Sequence, residues 1–164
     1  MSKEIRQGVG LLVVTEIPKR GKVVALQTRG LFNHEENRPQ YYAGGCQVTV
    51  YGGINPNESI LEALFRETKE ELGAEVAKIL RPQKLIKVAE FKRKNERGEI
   101  YAVKINSSFL EKIRLGPDSG GIRLVTAADL KDSQDLSKFK SGVPPKILAV
   151  FPDTLGAVKK ALEL

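Results

Sequence analysis

The sequence predicts an α/β fold in which a mixed β-sheet lies between helices. Three observations lead there. Strand-like segments stand on both sides of one amphipathic helix, a further helical stretch follows near the end, and the apolar run Val9 to Val14 reads as a buried strand.

Taken in order, Gly8 to Ile17 and Lys22 to Thr28 read as strands, with Gly21 suited to the tight turn of a hairpin. Gly30 to Tyr42 is polar and contains Pro39, so a loop is expected. Cys46 to Tyr51 alternates as a short strand until Gly52, Gly53 and Asn55-Pro56-Asn57 break it. Ser59 to Leu72 reads as a helix, opened by a Ser59/Glu62 capping box and closed by Gly73. Lys84 to Phe91 and Ile100 to Ile105 form a second expected hairpin with Asn95 to Gly98 at its tip. Ile122 to Thr126 is another strand, Ala127 to Leu130 starts a short helix, and Pro144-Pro145 opens a helical stretch that Pro152 should break or kink.

The 164 residues suit one domain, 1–164, with its own core, and 41% hydrophobic with 29% charged residues is ordinary for a soluble protein. No apolar run approaches the roughly 20 residues of a membrane span, and the N-terminal residues lack the apolar centre of a signal peptide. Cys46 stands alone, so no internal disulfide forms and a reduced, cytoplasmic setting is expected. The net charge of +7 favours either solubility or anionic partners. Its densest patch, Lys92-Arg93-Lys94 with Arg97, has no interleaved aromatic residue, so nucleic acid is only weakly indicated as a partner.

The informative segment is Gly52 to Ala74. At about 100° per residue, Leu61, Leu64, Phe65, Thr68 and Leu72 fall on one arc and are expected in the core. Glu67, Glu70 and Glu71 stack on a neighbouring arc. Like charges at this spacing repel by a few tenths of a kcal/mol per pair. Two arrangements relieve that: a solvated face, or a hard divalent cation such as magnesium, which takes oxygen ligands and keeps waters for substrate phosphates. Gly52-Gly53 would let a backbone approach such a site closely.

This segment resembles the Nudix box, G-x5-E-x7-R-E-U-x-E-E-x-G-U, with Gly52, Glu58, Arg66, Glu67, Glu70, Glu71 and Gly73 at its fixed positions. A chance match is on the order of 10⁻⁸ per starting point. Thr68 and Ala74 depart from the usual bulky aliphatic positions, so a looser helix interface is expected there. The order of elements around the box also resembles the family's α/β/α sandwich with a mixed β-sheet.

The resemblance implies a hydrolase using Mg2+, with Mn2+ as an alternative, that cleaves the pyrophosphate linkage of a nucleoside diphosphate carrying another group. It implies Glu70 and Glu71 as principal metal ligands, with Glu67 as a further ligand or a base acting on a water held by the metal. Arg66 would fix a carboxylate of the helix. Glu58 would close a salt bridge or help hold metal, and Gly52 would contribute backbone geometry or a carbonyl ligand. Relatives often add a carboxylate from a late loop. Asp118 is the candidate, with a turn aspartate as the competing reading and Glu111 as a weaker rival. Arg29 and Arg38 are candidates for substrate phosphate, and Tyr42, beside Tyr41, reads equally as a residue that stacks on a base or ribose and as a half-buried anchor.

His34, the one histidine, reads as an exposed loop residue, and Cys46 as core. A non-catalytic nucleotide-binding module is the alternative function, but such relatives typically lose box glutamates. A Nudix-fold isomerase would need a cysteine in another context. Many relatives dimerise, so a homodimer stays open.

Overall fold

The computed structural model describes residues 4–139 and 144–164. β1 (Arg6–Ile17) and β2 (Gly21–Arg29) form the expected antiparallel hairpin, whose turn places Lys19 and Gly21 at positive φ. The segment expected as loop carries a two-stranded hairpin, β3 (Phe32–Asn33) and β4 (Arg38–Pro39). β5 (Cys46–Gln47) and β6 (Val50–Gly53) lead into α1 (Ile60–Leu72). α2 (Ala74–Leu80) follows directly, then β7 (Ile86–Arg93), β8 (Glu96–Lys104) and a 3-10 turn at Ser107–Lys112. The chain continues through β9 (Ser119–Val125), α3 (Ala127–Lys131), β10 (Gln134–Asp135), β11 (Ala149–Val150) and α4 (Pro152–Ala161).

The principal sheet of the described residues runs β10-β11-β5-β2-β1-β8-β7, with β6 added to β1 and β9 to β2. β1 pairs antiparallel with β2 and β6 but parallel with β8, so the sheet is mixed as expected. The apolar run in β1 explains the layers. Val9, Leu11 and Val13 enter one core cluster with Leu64, Leu72, Val76 and Leu80 of α1 and α2. Leu12 and Val14, on the opposite face, enter the other cluster with Ala157, Val158 and Ala161 of α4. A strand covered on both faces has no use for polar alternation.

β2 and β6 share one edge of β1, β2 beside Val13 to Ile17 and β6 beside Gly8 to Leu11. Thr49 is fully buried where the two strands diverge. Its hydroxyl accepts the Val13 N–H at 2.9 Å and donates to the Ala25 carbonyl, so neither backbone group is left unpaired at the fork.

Several sequence expectations shift. Gly73 (φ 99°) ends α1 as foreseen, but α2 starts at the next residue, so the glycine is a bend between two helices. β8 starts four residues earlier than its apolar portion because its first half is a hairpin arm with polar side chains. Pro152 does not break a helix: it opens α4, at a position where its missing N–H has no helical acceptor to lose. The chain just before it forms β11 rather than helix. On α1, Leu61 is exposed and Phe65 only half-buried, while Ala63, Leu64, Thr68 and Leu72 form the buried face. Thr68 fits there because its hydroxyl donates to the Leu64 carbonyl at 2.6 Å.

Phe109 of the 3-10 turn is fully buried in the cluster beneath α1 and α2. Phe109→Ala is expected to lower unfolding free energy by about 3–5 kcal/mol, the range for deleting a buried aromatic side chain. Urea denaturation with matched m-values is the check.

Candidate active site

Gly52 and Gly53 of β6 pair with Val9 and Gly8 of β1, which brings the start of the box against the edge of α1. A Cβ on Gly52 would lie 2.0 Å from Glu67 Cδ, so the carboxylate of Glu67 occupies the space that any other residue would fill.

Arg66 gathers the acidic groups at this end of the helix. Its Nε and Nη2 donate to the two oxygens of Glu58 at 2.9 and 2.8 Å, a bidentate pair. Nη1 donates to Glu67 Oε1 at 2.6 Å and Nη2 to the Gly53 carbonyl at 2.8 Å, while Glu70 stands 3.8 Å away. Arg66 hydrogen bonds, with a further bond from the Asn55 N–H, pull Glu58 down to about 2. The same bonds, to Glu58 first and Glu67 second, raise Arg66. Glu67 is nonetheless raised, chiefly by burial, with Arg66 opposing.

Glu71 is the most enclosed of the three helix-edge carboxylates. Gln27 Nε2 donates to its Oε1 at 3.1 Å and the Tyr51 N–H to its Oε2 at 3.2 Å. Gln27 is itself placed by a 3.0 Å bond to the Thr49 carbonyl at the strand fork. Burial, reinforced by the charges of Glu67 and Glu70 and opposed by the Gln27 hydrogen bond, pushes Glu71 up to about 8. Glu70, by contrast, has a side chain 59% exposed.

Glu70 and Glu71 line a cleft of about 340 Å3 together with Gln27, Arg29, Gln47 and Asp118. A larger groove of about 610 Å3, bordered by Ile54, Ile60, Phe91 and Arg97, contains none of the box glutamates, so size does not pick the site. Arg29 spans the cleft wall, donating to the Tyr41 carbonyl and to Gln47 Oε1, both at 2.9 Å. Burial lowers its pKa, but a guanidinium retains its proton at neutral pH. Asp118 stands immediately before β9, where its Oδ1 accepts the backbone N–H of His34 at 2.9 Å and its Nδ1–H at 2.7 Å.

The structure therefore brings Gly52, Glu58, Arg66, Glu67, Glu70 and Glu71 together and sets Asp118 and Arg29 around the cleft beside them. Arg38, which pairs with Glu36 and lies 3.9 Å over the Tyr41 ring, and Tyr42, whose ring packs edge-on against Phe151 at 4.9 Å, do not line the cleft, although both act on the charge of Arg29. Glu111 does not line the cleft either. Cys46 is buried in the α4-side core, where burial pushes its thiol up. Sequence reasoning missed Gln27 and the approach of His34 to Asp118. Gln27 left one usable signal, an amide ending the apolar run Val23 to Leu26. His34 left none.

Among the described residues, no three His, Cys, Asp or Glu side chains converge tightly enough to enclose a metal ion. The donor chemistry nevertheless fits a hard divalent cation. Every candidate donor is oxygen, and Glu71 is a buried carboxylate beside two others; its own hydrogen-bond donors among the described residues are neutral.

The depressed Glu58 carboxyl makes the Arg66 lock pH-sensitive. Its stabilisation is complete above the unfolded-state value of about 4.3 and is lost as pH falls toward about 2. Glu58→Gln is expected to melt below wild type at pH 7, with the two curves converging as pH drops from about 4.5 to 2. Circular dichroism melts across that range check it.

No curated protein matches the sequence. Among solved structures, the fold is similar to that of a mutT/nudix family protein from Listeria innocua, with TM-score 0.66 and 22% identity over 99% of this chain and 94% of that one. It is similar also to a NUDIX hydrolase from Alicyclobacillus acidocaldarius, with TM-score 0.61 and 15% identity over 100% and 94%. An Ap4A hydrolase from C. elegans follows the fold with TM-score 0.51 and 16% identity over 78% and 82%. At such identities these likenesses speak for the fold. The NUDIX domain model matches residues 5–144 of the sequence, and the chain therefore belongs to the NUDIX family.

Proposed function

We propose that this Nudix hydrolase cleaves the pyrophosphate bond of a nucleoside diphosphate linked to a second group, releasing two phosphorylated fragments. The observation that carries the reading is the three box carboxylates Glu67, Glu70 and Glu71 on one edge of α1, with Glu70 and Glu71 opening into the polar cleft.

Glu67, Glu70 and Glu71, with the Gly52 carbonyl, are the groups that would hold Mg2+ or Mn2+, and Asp118 would add a carboxylate from across the cleft. When bound, such a cation neutralises phosphate oxygens and makes a water more acidic. Arg66 holds Glu67 in place through a 2.6 Å hydrogen bond and pairs with both oxygens of Glu58, so Glu58 serves the lock. Gln27 and the Tyr51 N–H fix both oxygens of Glu71. Glu67 or Glu70 accepts the proton of the attacking water. Arg29 has spent Nε and Nη1 on the cleft wall, leaving Nη2 to a substrate phosphate. Arg38 and Tyr42 stand beside Arg29 without lining the cleft, and contribute to its charge environment.

The test is hydrolysis of a panel of nucleoside diphosphate derivatives and triphosphates, with Mg2+ and with chelator, products separated by ion exchange. Glu70→Gln and Glu71→Gln are each expected to lower kcat about a hundred-fold or more. In Glu71→Gln one of the two accepting oxygens becomes an NH2 that faces an N–H donor, so this variant is expected to melt below wild type without metal. Tight nucleotide binding without cleavage across the panel would replace this reading with a binding module.

A further inference from the structure

We propose that His34 is a positioning residue for the cleft: it anchors Asp118 by one oxygen and leaves the other available to the divalent cation that Glu70 and Glu71 would hold. The proposal rests on the metal-dependent reading of the cleft given above.

The geometry is unusual for a loop aspartate. Asp118 sits in the turn closed by the Ser119 N–H to the Gly116 carbonyl at 3.3 Å. In such a turn an aspartate ordinarily bonds its own backbone. Here Oδ1 takes both of its donors from His34, 84 residues earlier, and Oδ2 accepts no hydrogen bond among the described residues. A carboxylate only accepts, so Nδ1 carries the proton in this contact, which fixes the ring's orientation.

The surroundings brace the pair. The Gly30 N–H donates to the Asp118 carbonyl at 3.0 Å, and a Cβ on Gly30 would lie 2.6 Å from that oxygen, so the two loops meet where only glycine fits. Phe32 packs edge-on against the His34 ring with centroids 5.2 Å apart, and the β3–β4 hairpin holds Phe32. Both partners of the pair are substantially exposed, 57% for His34 and 40% for Asp118. A polar contact that open adds little to stability, so a latch serving the fold alone is a poor account of two donors spent on one oxygen. Asp118 lines the same cleft as Glu70 and Glu71, and orientation of a ligating carboxylate is what the arrangement supplies.

The experiment measures Mn2+ binding to the full chain by electron paramagnetic resonance, without substrate, alongside kcat, KM and melting temperature. Wild type, His34→Ala, His34→Asn, Asp118→Asn and the double variant His34→Ala/Asp118→Asn are compared. His34→Ala is expected to weaken Mn2+ binding about ten-fold and to lower kcat by a similar factor, with KM and melting temperature little changed. His34→Asn, which keeps a donor near the Nδ1 position, should recover most of the loss, and the double variant should be no worse than Asp118→Asn. Unchanged Mn2+ affinity in His34→Ala, full additivity in the double variant, or no Mn2+ binding by wild type would overturn the proposal. Wild type that binds Mn2+ but cleaves nothing overturns the hydrolase reading instead, while the Mn2+ comparison still decides the role of His34.

Discussion

The structure hangs on how one strand edge is shared. β1 cannot hydrogen-bond β2 and β6 at the same residues, so its edge is divided between them and a gap opens at the division. An apolar residue there would leave the Val13 N–H and the Ala25 carbonyl buried and unpaired, a penalty of about 1–3 kcal/mol each. Thr49 fills the gap with one hydroxyl that both accepts and donates. β6 then leaves the fork at an angle that lays Gly52 and Gly53 along α1, and the Thr49 carbonyl aims Gln27 at Glu71.

From that fork the electrostatics of the site follow. Three carboxylates on one helix edge repel one another, and each meets a different environment. Glu67 is held by Arg66 in the space a side chain on Gly52 would fill, Glu71 is enclosed with neutral donors, and Glu70 faces solvent. A single arginine neutralises Glu58 and Glu67 and ties them to the Gly53 carbonyl. Glu70, 3.8 Å from Arg66, and Glu71, held by neutral donors, are the carboxylates on the cleft side. An enclosed carboxylate among other oxygen donors is chemistry that suits a hard divalent cation.

The two loops that border the cleft are tied to each other as well as to the sheet. Arg29 holds the loop after β2 through Tyr41 and Gln47, and Asp118 meets that loop through His34 and Gly30. The result is a cleft whose polar wall is assembled from segments near residues 27–47 and 116–119 around one helix.

What the sequence determined is what local chemistry controls. The apolar run of β1, the Ser59/Glu62 capping box, the end of α1 at Gly73 and the spacing of Glu67, Glu70 and Glu71 are set by neighbours within a few residues, and all are present in the fold. Local signals misled where an element's ends or its existence depend on partners, as at the β3–β4 hairpin, and where packing left Leu61 exposed. Polar residues at the start of β8 are strand because the hairpin and β1 pair with them, and Pro152 starts a helix because the preceding residues join the sheet. The tertiary structure alone decided that Glu71 is enclosed while Glu70 is open, that Gln27 supports it, that Arg29 but not Arg38 or Tyr42 borders the cleft, and that His34 meets Asp118. Those relations join residues tens of positions apart, and periodicity and turn chemistry carry no information about which distant surfaces packing will bring together.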